Sequence, residues 1–252
     1  MNSSLEQLLQ HPAVWRASQG RRIAASLSTG HPPLDAQLHD RGWPLGATTE
    51  LLGPRCGMGE LRLLLPALRE LQKGAQARPW LVFLAPPFLP YAPGLAAAGL
   101  DPERLLVIKP PSQRELLWCA DQALRSGSCG AVMTWGNREN IGDRDLRRLQ
   151  QAAHHGNSWH VLFRPQQAAN QASPSALRIR FDSESSGDLQ LHVLKQRGGW
   201  SGQQLRLPLN PELQQRRYLR PQQLPVHLGA APSLERRSRS TLVPTAAERA
   251  KH

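Results

Sequence analysis

Short, almost uninterrupted apolar runs alternate along this chain with longer stretches in which leucine and alanine return every three or four residues. The runs Thr48–Leu52, Trp80–Ala85, Leu105–Ile108, Ala131–Trp135 and Trp159–Phe163 have the length and branching of buried strands. Between them, Glu60–Lys73 places Leu61, Leu64, Leu65, Leu68 and Leu71 on one helical face, with Pro66 expected to kink it. Ser112 with Glu115 forms a capping box for a helix reaching about Arg125, with Leu116, Ala120 and Leu124 inward. Asp143 is expected to cap a third helix, whose stripe is Leu146, Leu149 and Ala153 while Arg144, Arg147 and Arg148 lie mainly opposite. Strands and helices in strict alternation predict a parallel sheet covered on both faces. The pattern then changes to Ala176–Phe181 and Asp188–Lys195, an antiparallel hairpin on the sheet edge. Gly198-Gly199 opens a turn and Gln203–Leu207 supplies a last strand. The expected fold is α/β: a mostly parallel sheet flanked by helices, with C-terminal antiparallel edge strands.

The same pattern divides the chain into a core, residues 26–209, and two flanks. Residues 1–25 form an N-terminal helical segment, in which Ser3 and Glu6 cap Leu5, Leu8 and Leu9 before Pro12, and Val14-Trp15 follow as an apolar anchor. Residues 210–252 lose all apolar periodicity. They carry Pro211, Pro221, Pro225, Pro232 and Pro244 with Arg216, Arg217, Arg220, Arg236, Arg237 and Arg239, the composition of a largely disordered basic tail. The uncharged stretch Pro79–Leu100 is long enough to raise a membrane span, but its prolines would break a spanning helix repeatedly. A buried strand and a turn-rich connection are expected there.

Charge adds a partner class. A net charge of +12 and a pI near 11.0 favour an anionic partner, nucleic acid first, or else an Arg-rich solvated surface. Cys56, Cys119 and Cys129 are odd in number and form no C-x-x-C pair, which fits reduced thiols in the cytoplasm. His154, His155 and His160 lack a third ligand at metal spacing, so no metal site is expected. No G-x-S-x-G nucleophile elbow occurs. Trp43, in a Gly-Trp-Pro turn, reads as a packing residue, and the remaining tryptophans, set in predicted strands or helices, read as core.

The most telling chemistry is a defect. Residues 53–60, Gly-Pro-Arg-Cys-Gly-Met-Gly-Glu, stand between a strand and a helix, where a phosphate loop G-x-x-x-x-G-K-[ST] would stand. Counting from Gly53, the lysine position is Gly59 and the hydroxyl position is Glu60, which puts a carboxylate where a polyphosphate would lie. Gly53, Gly57 and Gly59 keep the tight turn but not the cation. Neither an activating Glu nor a metal-holding Asp follows later strands: those places hold Pro86-Pro87 and Thr134-Trp135. No cofactor and no catalytic residue are expected.

Leu27–Leu52, LSTGHPPLDAQLHDRGWPLGATTELL, resembles the opening of the RecA core. GMGELRLLLPAL, SPSALRIRF and VLKQRGG are similar to the ImuA family, accessory proteins related to RecA and SulA. The resemblance spans roughly residues 5–207. It implies a RecA-like fold and a non-catalytic adaptor in SOS-induced error-prone translesion DNA synthesis. The implied partners are an ImuB-like Y-family protein, an error-prone DNA polymerase and RecA, near damaged DNA. It also sets Lys195 and Arg197 beside a basic pair of RecA-related proteins. With the tail arginines Arg216, Arg217, Arg220, Arg236, Arg237 and Arg239, they are candidates for DNA or partner contact. Two alternatives stay open: a SulA-type cell-division inhibitor binding FtsZ, and an active recombinase-like ATPase, which the missing phosphate-loop groups oppose.

Overall fold

The structure, a computed structural model, describes residues 26–73, 80–136, 141–184 and 186–209. The expected N-terminal helical segment and basic tail, with all six of its candidate arginines, lie outside the described residues.

Among the described residues, ten strands and five α-helices follow in the order β1 (Ser26–Leu27), α1 (Pro32–Asp35), β2 (Trp43–Pro44), β3 (Thr48–Gly53), α2 (Glu60–Lys73), β4 (Trp80–Leu84), α3 (Ala92–Ala97), β5 (Leu105–Ile108), α4 (Gln113–Arg125), β6 (Cys129–Trp135), α5 (Asp143–Gly156), β7 (Trp159–Pro165), β8 (Leu177–Ser183), β9 (Leu189–Gln196) and β10 (Gln204–Leu207). Eight of these strands make one sheet in the order β10-β9-β8-β3-β7-β6-β4-β5. From β8 to β5 every neighbouring pair is parallel, and β9 is antiparallel to both β8 and β10. The expected α/β class and antiparallel edge are therefore present.

Period-two alternation along each central strand explains two cores. Leu51, Leu81, Phe83, Met133, Val161 and Phe163 project to one face, where α2 lays Leu63, Leu64, Ala67 and Leu68 against them. Val82, Leu84, Val132 and Leu162 project to the other, under Leu116, Ala120 and Leu124 of α4 and Leu146, Leu149 and Ala153 of α5. Trp43 is fully buried and stacks on Trp159 with ring centroids 5.3 Å apart, as its packing reading required.

Three local expectations change. The buried stripe of α2 is centred on Leu63 and Leu64, while Leu61 and Leu65 are only partly buried. Asp143 does not cap α5: Gly142 is the cap, and the Asp143 carboxylate instead accepts from Arg147 at 2.7 Å, one turn on. The connection after β4 contains a short helix, α3, with Pro93 in its first turn, where a missing N–H costs nothing.

Candidate functional site

The carboxyl ends of the parallel strands carry the loop whose chemistry the sequence put in question. β3 delivers Gly53 to the turn, and a Cβ there would stand 2.3 Å from the Phe181 ring. Glycine is thus required by packing against β8, independently of any phosphate. Gly57 and Gly59 follow at φ +85° and +101°, left-handed conformations that let the chain curl into the N-terminus of α2.

Glu60 completes the loop, but inward. Its side chain is buried, and its two oxygens accept hydrogen bonds from the backbone N–H of Gly57 and of Met58, each at 2.7 Å. The sequence placed this carboxylate facing an incoming polyphosphate; the structure shows it seated on the loop's own amides instead. Charge-assisted bonds of this length are strong, and a negative group at a helix N-terminus is further favoured by the backbone dipoles. Glu60→Ala is expected to lose about 1–3 kcal/mol, because two N–H groups go unsatisfied in a half-buried turn. Chemical denaturation should show the midpoint falling with no change in slope.

Beside this loop lies an exposed apolar ridge. After β4, Ala85 adopts φ +52° and the chain runs Pro86, Pro87, Phe88, Leu89, Pro90, Tyr91. Phe88, Leu89 and Tyr91 are 69%, 76% and 74% exposed, and the Phe88 ring lies 3.8 Å from the Cβ position of Gly57. Three large apolar side chains held out together by prolines are not explained by folding. Sequence reading missed them, taking the segment as mere connection; the signal was the density of prolines around aromatics. The ridge borders a cleft of about 380 Å³ at the ends of β4, β5 and β6, lined among others by Pro86, Pro87, Lys109, Ser112 and Trp135.

The last two residues of β6 are engaged inside the fold. Thr134 is fully buried and its hydroxyl is bonded to His160 Nε2 at 3.2 Å; Trp135 packs between Phe83 and Phe163.

A second polar centre lies inside the sheet. Glu50, fully buried in the middle of β3, accepts from Ser173, from Ser175 at 2.6 Å, from Arg164 at 3.1 Å and from Arg178 at 3.3 Å. The guanidiniums also donate to backbone and side-chain oxygens of residues 168–171. Burial alone would raise the Glu50 pKa, but the two serine hydrogen bonds and the flanking Arg178 and Arg164 outweigh it and hold it below the usual carboxylate range. This centre ties the 166–176 connection to the sheet.

Lys195 and Arg197, taken together in the sequence, are separated. Lys195 Nζ turns inward and donates to the Ser173 carbonyl at 2.6 Å, and its pKa is lowered by burial and by Arg178. Arg197, past the end of β9, is exposed at the amino-terminal end of the sheet. Three tryptophans expected in the core are not there: Trp80, Trp118 and Trp200 are 38%, 61% and 87% exposed. Cys119 and Cys129 are free thiols, and burial raises the Cys129 pKa. Among the described residues no cluster of His, Cys, Asp and Glu could hold a metal, and no helix is long and apolar enough to cross a membrane.

A family described as cell division inhibitor SulA matches residues 54–160, the stretch from the closed loop through β7's first residues. The cell division inhibitor SulA of Edwardsiella piscicida is 32% identical over 118 residues, 46% of this chain and 68% of that protein. SulA of Pseudomonas aeruginosa is 35% identical over 104 residues, and SulA of Photorhabdus laumondii 31% over 117 residues, covering 41% and 46% of this chain. In each of these two the match spans 63% of the relative's own length. The crystal structure of SulA from Pseudomonas aeruginosa aligns with 46% of this chain and 97% of its own, at 29% identity and a TM-score of 0.38. The chain belongs to the SulA family. Of the sequence resemblance, the SulA relationship is thereby shown; the ImuA assignment is not.

Proposed function

We propose that this chain is a SulA-type inhibitor of cell division: a non-catalytic protein that works by docking its Phe88–Leu89–Tyr91 ridge on the division protein FtsZ. The observation that carries the reading is the ridge itself, an exposed apolar surface inside the family-matched stretch, next to a loop already closed by Glu60. In this reading the fold is a RecA-like scaffold that hydrolyses no nucleotide. Its loop lacks the lysine and hydroxyl of a phosphate loop, and an internal carboxylate occupies the amides left over.

The test is direct. Overproduction should make bacterial cells filamentous, and the purified full chain should suppress GTP-driven FtsZ polymerisation followed by light scattering. Replacing Phe88, Leu89 and Tyr91 with serine should weaken that suppression at least tenfold while leaving the melting temperature nearly unchanged, since the side chains are more than two-thirds exposed. Unimpaired polymerisation at excess inhibitor overturns the proposal.

A second reading rests on a different observation. The ordered sheet continues past the matched stretch into β8, β9 and β10, an extension that offers further docking surface. It suits the adaptor role in translesion synthesis, with an ImuB-like Y-family protein, an error-prone DNA polymerase and RecA as partners. Co-purification with the ImuB-like protein from DNA-damaged cells, without filamentation on overproduction, would favour it.

A further inference from the structure

We propose that the end of the sheet opposite the closed loop carries a binding face for single-stranded nucleic acid, formed by the turn after β9 and the exposed side of α5. An open groove of about 440 Å³ there is lined by Arg125 at the end of α4, by Gln150, Gln151, His154 and His155 on α5, and by Arg197. Donors from three separate elements converge on it, and no acidic side chain lines it. Arg125 is shared with Asp121, at 3.0 Å. Arg197 makes no ion pair among the described residues and is exposed, so its charge is available to a phosphate. His154 and Arg197 also border a second, smaller pocket of about 160 Å³, whose walls include Leu38, Pro44, Leu45 and Leu177. A charged groove thus opens onto an apolar slot, although Asp40 stands at the slot's edge.

The decisive residue is Trp200. It lies three positions beyond Arg197 in the same turn and is 87% exposed, the most exposed of the large apolar side chains described. The turn holding it is built, not loose. The Gln196 side chain donates to the carbonyls of Trp200 and Gln37 and accepts from the His39 N–H at 2.7 Å, while the Gly202 N–H donates to the Val193 carbonyl at 2.8 Å. An indole 87% exposed on a turn whose backbone is hydrogen-bonded in place adds little to the fold. With Arg197 in the same turn and lining the groove, such a ring serves an unpaired strand: phosphates follow the charged groove and a base stacks on the ring. Duplex fits less well, because its bases are already stacked and offer no free face to an indole. Lys195, bonded inward to Ser173, takes no part.

The full-length chain should be titrated with fluorescein-labelled oligo-dT of about 20 nucleotides, long enough to exceed the roughly 4–16-nucleotide sites of single-strand-binding folds. Binding is expected to weaken with salt. Trp200→Ala should lose roughly 5- to 100-fold in affinity at every salt concentration, the range seen for removing one stacking ring, with an unchanged salt slope. Arg197→Glu should also weaken binding and make the salt slope shallower by about one. Both positions are exposed, so melting temperatures serve as folding controls. To separate this face from binding by other basic parts of the chain, photocross-linking with 5-bromodeoxyuridine oligonucleotide should place a cross-link on Trp200. Failure to bind the oligonucleotide overturns the proposal. So would wild-type affinity in both variants, cross-links confined to residues 210–252, or tighter binding of duplex of equal length.

Discussion

Glu50→Ala should be the most damaging single substitution in the described core. It leaves Arg164 and Arg178 buried with no counter-charge, at side-chain exposures of 3% and 7%. Breaking one partner out of a buried ion cluster costs about 3–5 kcal/mol. Small domains have only about 5–15 kcal/mol in total, so the variant should populate unfolded chain and unfold at markedly lower guanidinium concentration. Glu50→Gln, which keeps an acceptor for one guanidinium and one serine, should fall between the two. Replacing Glu50, Arg164 and Arg178 together by apolar residues should be milder than Glu50→Ala, because no unpaired charge remains. Recovery would be incomplete, since Arg178 also satisfies the carbonyls of Ala168 and Gln171. An unchanged guanidinium midpoint for Glu50→Ala would show that the cluster is not holding the sheet to the 166–176 connection. The direction with pH is fixed as well. Glu50's folded pKa lies below its ordinary value, so its contribution is full above the ordinary carboxylate range and is lost as pH falls through the folded pKa.

The strands were legible because a strand covered on both faces is apolar at most positions, as β4 and β6 are and as the centre of β7 is, while β3 showed itself by its β-branched threonines and Leu51-Leu52. The edge hairpin was legible for the opposite reason, its alternation and its Gly-rich turns. What escaped was whatever depends on partners distant in sequence. A glutamate within TTELL looks like an interruption until the topology sets β7 and β8 on either side of β3, bringing Arg164 and Arg178 to it from 114 and 128 positions away. The short helix α3 escaped because six residues of Ala, Pro, Gly and Leu have no polar face to reveal a period.

The loop and the tryptophans show the same limit from the other side. The sequence reading turns the Glu60 carboxylate toward an incoming polyphosphate, whereas in the structure it sits inward on the Gly57 and Met58 amides. Two and three residues separate the partners, so the contact is local; the sequence left open only which way the carboxylate would turn. Trp200 is read with the other tryptophans as a core residue of a predicted strand or helix, although it lies in neither: Gly198-Gly199 mark a turn there, where side chains more often meet solvent. Apolar residues on turns, here Phe88, Leu89, Tyr91 and Trp200, are where folding does not dictate the residue and binding does.

His160→Gln should remove most of the chain's sensitivity to mild acid. His160 is fully buried on β7, its Nδ1 bonded to Thr48 Oγ1 at 3.1 Å and its Nε2 to Thr134 Oγ1 at 3.2 Å. Burial lowers its pKa from 6.5 to about 3, opposed only by the nearby Glu50 carboxylate. The folded chain therefore keeps this imidazole neutral at pH values where the unfolded chain binds a proton. Stability conferred by the neutral ring is full above the unfolded pKa and drains away as pH falls toward the folded value. Each unit within that window removes up to about 1.4 kcal/mol, or roughly 2 kcal/mol between pH 6.5 and 4.5. Glu50, whose folded pKa is lowered from the ordinary carboxylate value, adds a loss of the same sign only toward the acid end of that interval. Burial lowers the His31 pKa too, and it contributes a smaller slope of the same sign. Glutamine can reach one threonine hydroxyl with its carbonyl and the other with its amide, so His160→Gln preserves the hydrogen bonds and deletes the titration. Guanidinium midpoints measured at pH 7.5 and 4.5 should then differ far less in the variant than in the wild type. Equal pH dependence in the two would mean that the imidazole is protonated inside the folded sheet.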